Sequence, residues 1–396
     1  MTQRMTLAFV LFLAAFLASD RAAAESAETV FGAPVHQPHA EILWTRVLSD
    51  DGGRYIGWPT VLSRRDGEVI AVYSGDREAH ICPWGQVRIV RSQDGGETWS
   101  KPATLRNGLL DDRDSGIIEL ANGDLLAFWF TGVAFMHPSI VKRHPDWGRH
   151  FRKMPKEQVC AELGSFSMLS TDSGKTWTRP VRVPTSAPHG GIQLKDGRIL
   201  VVGVQSAATR GEFPEKEPHR AGKLDARHVI AESTDGGRSW RERLMYPDGA
   251  WKSCGACEPH LIEARDGTLR CLFRWQEGAA HLLQAESHDG GRTWSVPKET
   301  TVDGYPPHLL RLADGRILLT YARRKKDDYG EFAAVSSDDG CTWQACGEIK
   351  LASGGEQDLG YPSSCQLEDG SILTVYYQRA KPEAPHSLMG TKWRIR

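Results

Sequence analysis

Six times along the chain an apolar run leads into a short polar turn and out into a second apolar run. The six segments read VLSRRDGEVIAVY, IIELANGDLLAFW, IQLKDGRILVVG, LIEARDGTLRCLF, LLRLADGRILLTY and CQLEDGSILTVYY, with turns beginning at Asp66, Asn122, Asp196, Asp266, Asp314 and Asp369. Alternation around Asp-Gly or Asn-Gly predicts a β-hairpin at each. After each of the first five hairpins comes a box of the form Ser-x-Asp-x-Gly-x-Thr/Ser-Trp, at 92–99, 170–177, 233–240, 287–294 and 336–343. Its Asp is expected to accept hydrogen bonds from the turn's backbone N–H groups, its Gly to supply positive φ, and its Trp to fold back beneath the turn. A hairpin followed by a boxed hairpin makes a four-stranded unit. Radial repetition of such units predicts an all-β fold, a six-bladed β-propeller with Asp-box repeats. The sixth unit has no box. Its outer strands are expected at 388–395 and, from the other end of the chain, at 42–48, a pairing that closes the ring and removes its open edges.

Two segments interrupt the rhythm. Residues 135–164 enlarge the second blade and carry Lys142, Arg143, Arg149, Arg152, Lys153 and Lys156 with His144 and His150; residues 206–227 enlarge the third. Insertions of that length in a compact domain read as lids, binding loops or solvated surface. The first 24 residues are of a different kind. Arg4, an apolar stretch over 5–18 and the small residues Ala22, Ala23 and Ala24 read as a secretory signal cut near Ala24. The expected domain division is therefore a signal peptide over 1–24 and one propeller over 25–396, secreted or periplasmic, with no membrane span once the signal is removed. An exported chain permits disulfides: Cys341 and Cys346 could close a small loop, and Cys254 with Cys257 forms a lone CxxC, read as a disulfide or free thiols rather than a metal site.

The 396 residues alone suggest two or three domains, but the repeats convert that length into one. They also account for much of the content of 40 Gly and 13 Trp. A net charge of −1 excludes a global basic field for nucleic acid.

Aligning the hairpins on their turns points to a site. Eight residues before the turns stand Trp58, Asp114, Pro188, Glu258, Pro306 and Tyr361; six before stand Thr60, Gly116, Gly190, His260, His308 and Ser363. Inner strands of a propeller start at one mouth of its channel, so this mouth gathers Asp114, Glu258, His260, His308 and Tyr361, with Asp112, Arg113, His189 and Tyr305 beside them. Such groups either form a site or solvate a water-filled channel. The histidines are read as holding water or orienting carboxylates; no metal or cofactor is expected.

The boxes resemble the Asp-boxes, or BNR repeats, of the sialidase superfamily, over most of the mature chain. Within that resemblance Glu258 is similar to the glutamate that activates a tyrosine, Arg274 to one arginine of the triad that clamps the substrate carboxylate, and Tyr361 to the nucleophilic tyrosine. The resemblance implies a retaining exo-glycosidase in which a phenol, not a carboxylate, attacks the sugar. Three departures accompany it. The family's first triad arginine falls in an Arg-Ile-Pro motif that reads Gly57-Trp58-Pro59 here. The third falls at Asp328, with Arg323 and Arg324 close by but off register. The acid/base loop reads SGDREAHICPWG, which offers Asp76 and His80; the cluster Asp112-Arg113-Asp114 offers an acid and a replacement cation. The expected partner is a glycan carrying sialic acid or another acidic sugar, and the expected state a monomer. The competing readings are a glycan-binding propeller without turnover and a protein-binding scaffold.

Overall fold

The computed structural model describes residues 38–396 apart from 224–225, 248, 250, 252–254, 276–279 and 344–346. The expected signal segment lies outside the described residues, as do Cys254 and Cys346 and with them both cysteine pairings. Six four-stranded antiparallel sheets form the blades. The first holds β2 (Tyr55–Ser63), β3 (Val69–Arg77), β4 (Gln86–Ser92) and β5 (Ala103–Arg106); the second β6 (Asp111–Glu119), β7 (Leu125–Gly132), β8 (Gly164–Ser170) and β9 (Val181–Val183). The third holds β10 (Ile192–Gln193), β11 (Ile199–Gln205), β12 (Arg227–Ser233) and β13 (Arg241–Leu244); the fourth β14 (Ala256–Glu263), β15 (Leu269–Trp275), β16 (His281–Ser287) and β17 (Lys298–Asp303). The fifth holds β18 (His308–Arg311), β19 (Ile317–Arg323), β20 (Gly330–Ser336) and β21 (Ile349–Ser353). The sixth is built from both ends of the chain: β22 (Gly360–Gln366), β23 (Ile372–Arg379) and β24 (His386–Ile395) take β1 (Ala40–Ser49) as their outer strand, with Ile42 opposite Trp393 and Val47 opposite Met389. The ring closure expected at 42–48 and 388–395 is what the structure has.

The boxes work as their residue types require. In the first, Ser92 Oγ donates to Asp94 Oδ1 at 2.7 Å, the Thr98 N–H and hydroxyl donate to the two Asp94 oxygens at 2.8 and 2.5 Å, and Gly96 N donates back to Ser92 Oγ at 2.9 Å. The Thr98 bonds hold the Asp94 carboxyl at about 2, below its ordinary range. Trp99 Nε1 closes onto Gly96 O, whereas Trp240 and Trp343 reach into the preceding blade, to Ser167 Oγ and Gln284 Oε1. The apolar core lies between blades. Val69, Ala71 and Tyr73 of the first meet Leu373, Val375 and Leu388 of the sixth, and Leu318 and Val335 of the fifth meet Ile372 and Trp393. A polar latch repeats on the face opposite the mouth. An acidic or amide side chain three residues before one turn accepts from the backbone N–H just before the preceding turn: Glu119 from Arg65, Gln193 from Ala121, Glu263 from Lys195 and Gln366 from Ala313.

The blade-two insertion folds into three short helices, α1 (Pro138–Arg143), α2 (Pro145–Arg152) and α3 (Lys156–Glu162). Its Phe135, Trp147 and Phe151 pack on Cys82, on Leu110 and on Phe213 of the blade-three insertion. Arg182 fastens the two insertions together by donating to the carbonyls of Leu163, Cys160, Ala161 and Thr209. Cys82 follows the His80 loop and Leu110 precedes β6, so the insertions buttress two segments of the mouth.

Glu331 on β20 is fully buried, and neither of its oxygens makes a hydrogen bond among the described residues. Burial pushes its carboxyl well above the ordinary 4.5, against the opposing charge of Arg324. The native state therefore holds a proton that the unfolded chain has lost by neutral pH, and stability falls as pH rises above 4.5. Glu331→Gln is expected to raise thermal stability at pH 8 by about 1–3 kcal/mol, with the gain vanishing near pH 4; equal effects at both pH values in calorimetry count against the buried acid being the cause.

Candidate active site

A strand alternates its side chains between two faces, and at the mouth this rule is broken in four blades. Trp58, Asp114, Glu258 and Tyr361 adopt φ of 52°, 49°, 47° and 53°, a left-handed conformation that non-glycine residues avoid. At each, the pairing with the second strand slips, between Gly57 and Thr60, Arg113 and Gly116, Cys257 and His260, and Gly360 and Ser363. A bulge of this kind re-aims a side chain. These are four of the six positions that stand eight residues before a turn; the other two are Pro188 and Pro306, whose ring excludes positive φ. Two residues further on, Gly116 lets blades two and three meet: a Cβ there would lie 2.6 Å from Gly190 N.

Tyr361, Glu258 and Arg274 converge. The Tyr361 hydroxyl donates to Glu258 Oε1 at 2.5 Å, while one Arg274 nitrogen donates to Glu258 Oε2 at 2.7 Å and to the Tyr361 oxygen at 3.3 Å. Burial would raise the Glu258 carboxyl, but Arg274 and the phenol's hydrogen bond bring it below its ordinary value. Burial and the Glu258 charge push the Tyr361 phenol well above 10. The phenol thus rests protonated against an ionised carboxylate. The Arg274 guanidinium lies 4.2 Å from the Tyr305 ring centre. Arg324 donates to Leu359 O and to the Tyr377 hydroxyl, with its guanidinium 5.5 Å from the Tyr361 ring.

The aspartates separate into distinct settings. Asp114 Oδ1 is buried without a hydrogen-bond partner among the described residues. Burial raises its carboxyl to about 6, with Arg113 opposing and Glu258 adding to the rise. Asp112 lies behind the wall, bonded by the Thr131 hydroxyl at 2.6 Å and Gly108 N at 2.7 Å, and burial lifts it to about 7. Asp111 grips the fully buried Arg77 through both oxygens, at 2.5 and 3.0 Å. Arg113 covers the Trp58 indole at 3.9 Å and donates to His80 O. Asp76 is turned to Arg54 and Gln86, at 3.1 and 2.8 Å, apart from the Tyr361 group.

His189, His260 and His308 form a cluster, with ring centres 4.7 to 5.9 Å apart, and His189 lies 6.4 Å from the Tyr361 ring. Burial holds all three below the ordinary imidazole value, His260 at about 4. Leu309 N donates to His260 Nδ1 and Ser364 N to His308 Nδ1, so in both rings the proton sits on Nε2. Among the described residues no group of His, Cys, Asp and Glu side chains has the geometry to hold a metal ion.

Residues 150–374 of the chain, more than half its length, match the BNR repeat-like domain family, and residues 90–101 match the BNR/Asp-box repeat. The chain belongs to this family, a BNR propeller of the sialidase superfamily. It is 29% identical over 238 residues to a sialidase of Micromonospora viridifaciens, covering 54% of this chain and 34% of that protein. To a sialidase of Bacteroides fragilis it is 22% identical over 377 residues, covering 84% of this chain and 61% of that protein. The chain thus spans about a third and about three fifths of these relatives' lengths. Among solved structures, a Dyadobacter fermentans protein of unknown function superposes with a TM-score of 0.74 at 23% identity, over 91% of this chain and 100% of that one. The intramolecular trans-sialidase of Ruminococcus gnavus superposes with a TM-score of 0.60 at 14% identity, over 89% and 98%. At these identities the structural likeness speaks to the fold.

One constellation of this BNR propeller escapes an alignment made only at the mouth. Asp358 accepts from the hydroxyls of Tyr55 at 3.0 Å and Tyr377 at 3.0 Å and pairs with His80 Nδ1 at 2.9 Å, and His386 Nε2 donates to its backbone oxygen at 2.8 Å. Tyr55, Asp111 and Asp358 all stand eleven residues before a turn, three before the mouth residue. Extending the hairpin alignment by one tier would have found them. For Asp114, side-chain carboxyl 13C NMR of the protein and of Asp114→Asn is expected to assign a titration midpoint near 6; a midpoint at the ordinary 3.8 would mean a solvated carboxylate.

Proposed function

We propose that this BNR propeller is an exported, retaining exo-glycosidase of sialidase type that removes a terminal sialic acid or another acidic sugar from glycans. The observation that carries this reading is the 2.5 Å contact from the Tyr361 hydroxyl to Glu258, with Arg274 bonded to both. A phenol is a weak nucleophile until a base takes its proton, and Glu258 is ionised and in contact. Tyr361 attacks the anomeric carbon as its proton passes to Glu258. Arg274 steadies the negative charge that the pair shares. A neutral attacking group also avoids repulsion from a substrate carboxylate, for which Arg274, Arg324 and Arg113 are the cations at hand. Export is read from the segment over 1–24; no helix among the described residues is long and apolar enough to cross a membrane.

A second reading, a glycan-binding propeller without turnover, is favoured by one observation. Gly57 stands where the family's first triad arginine is expected, and each of those three guanidiniums already bonds to a protein group.

Screening the protein against 4-methylumbelliferyl sialoside, uronides and neutral glycosides separates the two. Turnover of at least one is expected, with Tyr361→Phe losing about 10³-fold or more in kcat while binding persists. Full activity in Tyr361→Phe overturns the nucleophile assignment, and saturable binding with no turnover on any substrate favours the second reading.

A further inference from the structure

We infer that His80, held by Asp358, is the general acid/base that exchanges the proton with the glycosidic oxygen. This rests on the reading of Tyr361 as nucleophile. That displacement needs a proton donor separate from the nucleophile's own group, and Tyr361, Glu258 and Arg274 are engaged with one another. Asp76 is occupied by Arg54 and Gln86, and Asp112 by Thr131 and Gly108. Asp114 keeps its Oδ1 buried, out of reach of a ligand at the channel surface.

His80 differs from all of these. Its side chain is 42% exposed, and its Nε2 has no hydrogen-bond partner among the described residues. Its Nδ1 lies 2.9 Å from Asp358 Oδ1 and 2.8 Å from the Tyr55 hydroxyl. A bare Nδ1 lone pair facing the carboxylate would be repelled, so Nδ1 carries a proton and Nε2 is the atom that titrates. Asp358 stays ionised because, although burial works against it, His80, His386 and Tyr377 all favour its charge. The Trp58 indole lies beside both halves of the machinery, with its ring centre 5.0 Å from that of His80 and 6.4 Å from that of Tyr361.

In the first step Nε2–H gives its proton to the glycosidic oxygen as the bond from that oxygen to the anomeric carbon breaks. Tyr361 forms its bond to the same carbon and loses its proton to Glu258. In the second step the neutral Nε2 takes a proton from a water whose oxygen displaces the tyrosyl oxygen, and Glu258 returns the proton to Tyr361. The groups facing His80 are Asp358, Tyr55, Arg113 and Arg77, with Tyr377, His386 and Glu356 behind Asp358. Burial draws the imidazole below its ordinary 6.5, with Asp358 opposing and both arginines reinforcing. The proton needed in the first step is present below that pKa and lost above it, so kcat/KM is expected to fall with an alkaline limb below pH 6.5.

The test uses the methyl and 4-methylumbelliferyl glycosides of whichever sugar the screen identifies. His80→Ala is expected to lose about 10²-fold or more in kcat/KM on the methyl glycoside and much less on the 4-methylumbelliferyl glycoside, whose phenol leaves with little help. Asp358→Asn is expected to move the alkaline limb to lower pH. Equal losses of His80→Ala on both substrates, or an unmoved limb, overturn the assignment. Tyr361→Phe should fail on both substrates; if it does not, the reading beneath this one has failed instead. Long-range 1H–15N NMR of His80 needs no substrate: a neutral ring protonated on Nδ1 is expected, and protonation on Nε2 overturns the dyad.

Discussion

Side chains in an ordinary inner strand would alternate between the two faces of the blade, and none of the four mouth residues would meet another across the channel. The left-handed backbone at Trp58, Asp114, Glu258 and Tyr361 changes that. Each such residue costs of order 1–2 kcal/mol, and a scaffold of repeated hairpins, boxes and inter-blade latches is stiff enough to hold four of them in place. The contact between Tyr361 and Glu258 joins residues 103 apart in the chain and exists only because two bulges in different blades aim inward.

The same scaffold sorts the acids by partner. Glu258 and Asp358 sit among donors and stay ionised, whereas Asp112 is buried and Asp114 half-buried with too few, and both are drawn toward protonation. One ionised carboxylate faces a phenol and the other an imidazole, and the Trp58 ring lies beside both of those rings. Arg77 and Asp111 hold that ring's surroundings, since Arg77 bonds Asp111 through two nitrogens while its guanidinium lies 4.8 Å from the indole.

The blades were legible in the sequence because their signals are local. Asp94 and Thr98 lie four residues apart, and a turn such as Asp66-Gly67 carries its own chemistry. The mouth residues were legible because blades repeat, so aligning turns superposes Glu258 on Tyr361 without knowing the distance between them. What stayed hidden depends on long-range geometry. Nothing near His80 in the chain announces Asp358, which lies 278 residues away, or Tyr377 beyond it. Asp76 and His80 stand close together in the chain and look equivalent in the sequence, yet one turns to Arg54 and the other to Asp358. The latches formed by Glu119, Gln193, Glu263 and Gln366 are periodic, but their partners are backbone N–H groups, which carry no sequence signature. Whether a given mouth residue takes the left-handed conformation is likewise invisible, except at Pro188 and Pro306, where the ring forbids it.

Ring closure ties the order of synthesis to the integrity of the site. The blade that carries Tyr361 on its inner strand is finished by β1, the first of the described strands to be made, so that strand waits for almost the whole propeller before it finds its partner. Until then β24 offers a free edge with Trp393 and Met389 along it, and any second chain in the same state offers a matching β1. Exchange of that strand between two copies rebuilds the same hydrogen bonds as closure within one. Folding at high concentration therefore sets intramolecular closure against strand exchange, and dilution during refolding favours the monomeric ring.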